Sequence, residues 1–193
     1  MSKHRLSLWV LIACLSFGMW NLGQGVYLYA KAALAQHLLR QAWDKTLQGH
    51  AQVRPWPWAD TFPVARLTDA KAQVDLIVLA GASGRSLAFG PGHIDGTALP
   101  GKAGNSVLSG HRDTHFAFLR GVQIGDALQI QTTAGKTLRY RVADLRIVDQ
   151  HDVRVLQSAA GEQLTLVTCY PFDALRPGGP LRYVVSAERA SEG

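Results

Sequence analysis

Paired cysteines are missing from this sequence. Only Cys14 and Cys169 carry a thiol among its 193 residues. Cys14 lies inside an apolar N-terminal segment, so a disulfide framework is excluded. Runs of like charge are missing too. The formal charge is +6, but Lys3, Arg5 and Lys31 flank the apolar segment and the other basic residues are scattered. Nucleic-acid binding finds no support in that distribution. There are no internal repeats, no low-complexity tracts, no H-E-x-x-H and no paired CxxC. The common zinc signatures are therefore unfilled.

The first feature present is a charge-free run from Leu6 to Ala30, preceded by Lys3, His4 and Arg5. A helix of about 20 residues spans the hydrocarbon core of a bilayer, so this run is long enough. Basic residues before it favour a cytoplasmic N-terminus, and Trp20, Tyr27 and Tyr29 suit the far interface. An uncleaved signal anchor in the cell (inner) membrane is expected, with the rest of the chain extracytoplasmic or periplasmic. The rival reading is a signal peptide cut within "AALAQ", Ala32 to Gln36. The apolar run exceeds the usual length of such peptides and ends before that site. Leu34, Leu38, Leu39 and Ala42 recur at helical spacing and predict a stalk helix ending at Gly49. Pro55, Pro57 and Pro63 then exclude regular helix, and an extended lead-in is expected, with Trp56 and Trp58 packed on the domain. The expected organisation is 1–30 cytoplasmic tip and anchor, 31–57 stalk and linker, and 58–190 a single β domain.

From there the pattern is one of short alternating or β-branched runs: 73–80, 86–90, 105–110, 127–132, 137–149, 163–169 and 181–187, separated by Gly-, Pro- and Asp-rich turns. Seven or eight strands with only short helices predict an all-β fold, a small closed or half-closed barrel.

Cys169 ends the run "LTLVTC", just before Tyr170, Pro171 and Phe172. Strand residues alternate faces, so Thr165, Val167 and Cys169 share one side and Leu164, Leu166 and Thr168 the other. A lone thiol in an exported domain is either a buried structural cysteine or a nucleophile. A nucleophile needs an acid–base partner and a donor for the oxyanion. His111 follows the run "NSVL" directly in "SGHRDTHF", and Arg182 lies on the run after the cysteine. Arginine stays charged and offers a planar fork of donors, which suits a developing oxyanion.

"TLVTCYPF", preceded by "GHRDTHF" and followed by "GGPLRYVV", resembles the sortase family, membrane-anchored bacterial cysteine transpeptidases. The hallmark TLxTC strand, upstream His and downstream Arg correspond to Cys169, His111 and Arg182. The resemblance covers roughly residues 60 to 187, and the wording of "TCYPFDALRPGGPLRY" and "PWPWADT" is most like Gram-negative proteobacterial sortases near classes D and E. It implies that Cys169 attacks the Thr carbonyl of an LPxTG-like C-terminal sorting signal, that His111 serves as acid and then base, and that Arg182 steadies the oxyanion. The implied partners are a secreted protein bearing that signal, an amine acceptor such as a cell-wall precursor or protein lysine, and membrane lipid around the anchor. No cofactor, calcium or other metal is expected.

Further residues carry two readings each. His93 resembles a family His near the mouth of the site, or caps a loop. Thr168 offers a substrate contact, or packs in the core. Tyr170 lines the substrate pocket, or joins Phe116, Phe118 and Phe172 in the core. Asp113 orients His111, or forms a turn. Two alternatives of other classes stand beside the transpeptidase. One is a zinc-dependent hydrolase using His111, Asp113, His115 and Cys169. The other is a membrane-tethered β-barrel that binds a peptide without catalysis. Papain-type peptidases place Cys before His, the reverse of the order here.

Overall fold

The structure is a computed structural model that describes residues 3–158, 160–174, 176 and 178–190. It falls into two compact units, Met1–His37 and Leu38–Gly193. The first holds most of helix α1, which runs Lys3–Leu47. Among the described residues this is the one helix long and apolar enough to cross a membrane. Its apolar side chains, such as Trp9, Phe17 and Leu22, are exposed, as a lipid-facing surface requires. The residues expected as anchor and as stalk share this helix. Gly49 closes it with a φ of 95°, a conformation that favours glycine.

The second unit is a closed barrel of eight strands. In chain order they are β1 Pro63–Asp69, β2 Val74–Ala80, β3 Gly92–His93, β4 Gly104–Ser109, β5 Ala127–Thr132, β6 Thr137–Asp149, β7 Glu162–Tyr170 and β8 Leu181–Arg189. Around the barrel they run β1-β2-β3-β4-β7-β8-β6-β5. Parallel pairing occurs at β2–β3 and β4–β7, and the remaining pairs are antiparallel. The all-β barrel expected from the alternating runs is the fold observed.

Three details differ from the expectations. The segment 63–69 is not lead-in but β1, with Ala65 and Leu67 fully buried. Proline is compatible with the first residue of a strand, and there Pro63 stands. The run 86–90 is not a strand. Its start belongs to the short helix α2, Gly84–Leu87, because the Ser83 side chain accepts from the Ser86 N–H and caps a turn. Trp58 does not pack on the domain and is 82 % exposed, whereas Trp56 meets Phe89 edge to face at 4.9 Å. The bend at 55–58 buries Pro55, half-buries Trp56 and leaves Pro57 and Trp58 outside.

Leu67, Val78, Leu108, Ile130, Leu138, Tyr140, Leu164, Leu166 and Val185 fill the barrel interior. On its outside, Val107, Val167 and Val184 form a second apolar cluster, flanked by Ile94, Val148 and Val155. A third joins Leu39 and Trp43 of α1 to Ile77 and Leu79 of β2. The alternation that puts Leu164 and Leu166 inside sends Val167, and then Cys169, to the outer face.

Candidate active site

Cys169 is the penultimate residue of β7, half-buried and free of any disulfide. Its direct partner across the antiparallel pair with β8 is Arg182. Directly opposed strand residues share a face, with Cβ atoms about 5 Å apart. On the other side of β8, Arg182 pairs with Val148 of β6. The three positions thus form a row across adjacent strands, on the face floored by Val107, Val167 and Val184.

His111 extends that row. The parallel register sets Ser109 of β4 level with Val167 of β7, and the Gly110 N–H donates to the Val167 carbonyl at 3.2 Å. Cys169 comes two residues further along β7, and His111 comes two residues after Ser109, just past the end of β4. The Thr168 hydroxyl ties these strand ends together by donating to the Gly110 carbonyl at 2.7 Å. The His111 carbonyl accepts from the Phe116 N–H at 3.0 Å, which closes the turn that follows His111. Gly110 has no room for a side chain: a Cβ there would stand 2.8 Å from the buried Phe116 ring. The His111 side chain is exposed.

The Arg182 guanidinium is oriented by the β7–β8 loop. It donates through Nη1 to the carbonyls of Gly179 (2.6 Å) and Leu181 (2.9 Å), and through Nη2 to Gln150 Oε1 (3.2 Å). Among the described residues, these bonds leave two of its five N–H donors for a further acceptor. Next to Gln150, Asp149 is held below the usual carboxylate range. The His151 backbone N–H is the main cause, followed by the His151 ring, with the Arg182 charge a smaller contribution.

The remaining residues singled out in the sequence find other partners. His93 is buried, and its Nε2 donates to the Ala98 carbonyl at 2.9 Å, with Thr97 Oγ1 at 3.1 Å; it ties its own loop. Thr168 is buried with its hydroxyl hydrogen committed to Gly110. Tyr170 stacks on Tyr183, centroids 6.2 Å apart, and meets Phe172 edge to face. Asp113 pairs with Arg112 at 3.3 Å, its carboxylate largely exposed. His115 is half-buried. Burial first, and the charge of nearby His111 second, push its pKa below the ordinary histidine value. Among the described residues no three His, Cys, Asp or Glu side chains gather to hold a metal ion, so the zinc reading has no ligand set.

Sequence reasoning missed Arg112. Its side chain is 3 % exposed. It donates to the carbonyls of Pro171 (2.7 Å), Ala174 (2.8 Å) and Arg176 (2.8 Å). No periodicity signals this, because the acceptors lie in a loop remote along the chain.

Comparison with known proteins yields one consistent result. The sortase domain family matches residues 69–190. A curated relative, sortase D of Bacillus subtilis (strain 168), is 32 % identical over 122 residues, covering 63 % of this chain and 61 % of the relative. The chain therefore spans less than two thirds of that protein's length. Sortase C-1 of Actinomyces oris superposes with a TM-score of 0.61 at 31 % identity, over 67 % of this chain and 75 % of that one. The Clostridium perfringens sortase D5 transpeptidase gives a TM-score of 0.62 at 24 % identity, over 79 % and 89 %, and bears on the fold alone.

Proposed function

The chain belongs to the sortase family, and from that membership we propose that it is a membrane-anchored cysteine transpeptidase with Cys169, His111 and Arg182 as its catalytic residues. The observation that supports this reading is that Arg182 directly opposes Cys169 while His111 lies two residues beyond the end of the neighbouring strand β4, whose last residue Ser109 is level with Val167.

Each residue type in the row suits one part of an acyl transfer. The Cys169 thiolate adds to the Thr carbonyl carbon of an LPxTG-like sorting signal, and the electron pair moves to the carbonyl oxygen. Arg182 donates its remaining N–H groups to that oxyanion. When the C–N bond breaks, the His111 imidazolium gives its proton to the departing glycine amine, leaving a thioester on Cys169. An incoming amine then attacks the thioester. His111 takes the proton of that amine, and the thiolate leaves. The outer valine cluster is buried beneath Ile94, Val148 and Val155 and backs the strands that carry Cys169 and Arg182. Helix α1 would hold the enzyme at the membrane carrying its substrate, with the N-terminus cytoplasmic and the barrel outside, raising the effective concentration of both.

The test is turnover of LPxTG-type peptides by the wild type and by Cys169→Ala, with and without an added amine. Cleavage between Thr and Gly, joining of the amine to Thr, and loss of both in the variant are expected. Undiminished binding of the peptide with no cleavage by the wild type would instead establish a binding module.

A further inference from the structure

Arg112 is the residue that follows His111, yet its side chain turns away from the outer face and into the protein. There it meets three backbone carbonyls of the β7–β8 loop, Pro171, Ala174 and Arg176, at 2.7 to 2.8 Å. The first of these lies two residues after Cys169, and the same loop and the start of β8 supply the Gly179 and Leu181 carbonyls that orient Arg182. Buried carbonyls need donors. A guanidinium, with its flat fork of five N–H groups, can serve three diverging carbonyls at once, which a lysine ammonium does with poorer geometry. The carboxylate near Arg112, that of Asp113, touches it only through Nε at 3.3 Å and faces solvent. The cation is therefore satisfied by the loop, not by a buried counter-ion. Removing a side chain that only fills space would loosen the core in general; removing this one frees a particular loop from a particular strand end.

We propose that Arg112 is a positioning residue for the transpeptidation proposed above. It locks the loop carrying Arg182's supports onto the segment carrying His111, and so fixes the imidazole, thiol and guanidinium relative to one another. This inference rests on that reading of the site. Acyl transfer needs all three groups on the peptide carbonyl together, whereas alkylation by a small reagent needs only the thiol. A loosened clamp therefore slows the first far more than the second. Misplacement of a reacting group by about 1 Å costs on the order of 100-fold in rate.

The experiment compares the full-length wild type with Arg112→Met and Arg112→Lys. For each, acyl-enzyme formation with an LPxTG-type peptide is followed by single-turnover mass spectrometry, Cys169 alkylation by iodoacetamide is timed, and the melting temperature is recorded. Arg112→Met is expected to acylate about 100-fold more slowly, with alkylation changed less than about threefold. Arg112→Lys keeps the charge and some of the bonds, and is expected to recover part of the loss. Acylation within about threefold of wild type in either folded variant overturns the proposal. So does a parallel loss of acylation and alkylation, which marks a merely structural role. Should Arg112→Met fail to fold, Arg112→Lys alone decides on the same criteria. Absence of acylation in the wild type itself counts against the transpeptidase reading instead, so the two failures are distinguishable.

Discussion

Cys169 and Arg182 face each other directly across the antiparallel pair β7–β8. The relationship follows from two strands that alternate correctly: Leu166 and Val185 point into the barrel, so Val167 and Val184, then Cys169 and Arg182, point out of it. The proposed role asks for a planar cation at 182, because its Nη1 already serves the Gly179 and Leu181 carbonyls and, among the described residues, other N–H groups remain for a further acceptor. Arg182→Lys keeps the charge without the fork. Its kcat is expected to fall by about 10²- to 10³-fold, with peptide KM changed much less. A lysine variant within threefold of wild type would show that charge alone suffices.

Gly110 separates His111 from β4 and lies against the Phe116 ring. An added Cβ at 2.8 Å from that ring forces either the ring or the strand end to move. Gly110→Ala is expected to destabilise the protein by about 1–3 kcal/mol, and to lower activity beyond what the loss of folded protein explains. Thermal melts with active-site titration of the remaining thiol check both parts.

His115 offers a pH signature. Its folded-state pKa lies below its ordinary value, chiefly through burial. The unfolded chain therefore binds the proton more readily. The stability held by the neutral ring is fully present above about pH 6.5 and is lost as pH falls through the folded value. The wild-type melting temperature should thus fall more steeply than that of His115→Gln between about pH 7 and 5. Parallel curves would contradict the assignment.

Trp43 and Leu39 at the end of α1 cover Ile77 and Leu79 of the barrel, and the compact unit begins at Leu38. Trp43→Ala is expected to cost about 3–5 kcal/mol measured by denaturant unfolding, although residue 43 is far along the chain from the strand that carries Cys169. A change below about 1 kcal/mol would mean that this helix end is not part of the folded core.

Much of this was legible in the chain because alternation is a local signal. The face of Cys169, a barrel closed or half-closed, and the runs next to His111 and Arg182 all follow from period-two patterns, while full closure shows only in the strand order. Strand β1 was hidden by the prolines before it, since Pro63 looks like a breaker yet occupies a strand's first position. The run 86–90 reads as a strand until the Ser83 cap is seen to start a turn. Arg112 was invisible for a different reason. Its meaning lies in three carbonyls that only the closed barrel brings to it. Likewise, nothing local decides between the two readings of Thr168 and of His93, whose hydroxyl and ring are engaged by the protein's own backbone.

The most direct test of the central claim is the intact mass of the enzyme mixed with an LPxTG-type peptide, for the wild type and Cys169→Ala. The account predicts an acyl adduct on the wild type only, released by hydroxylamine as the Thr hydroxamate of the peptide. A wild type that stays unmodified across several sorting-motif variants, while its thiol reacts readily with iodoacetamide, would contradict it.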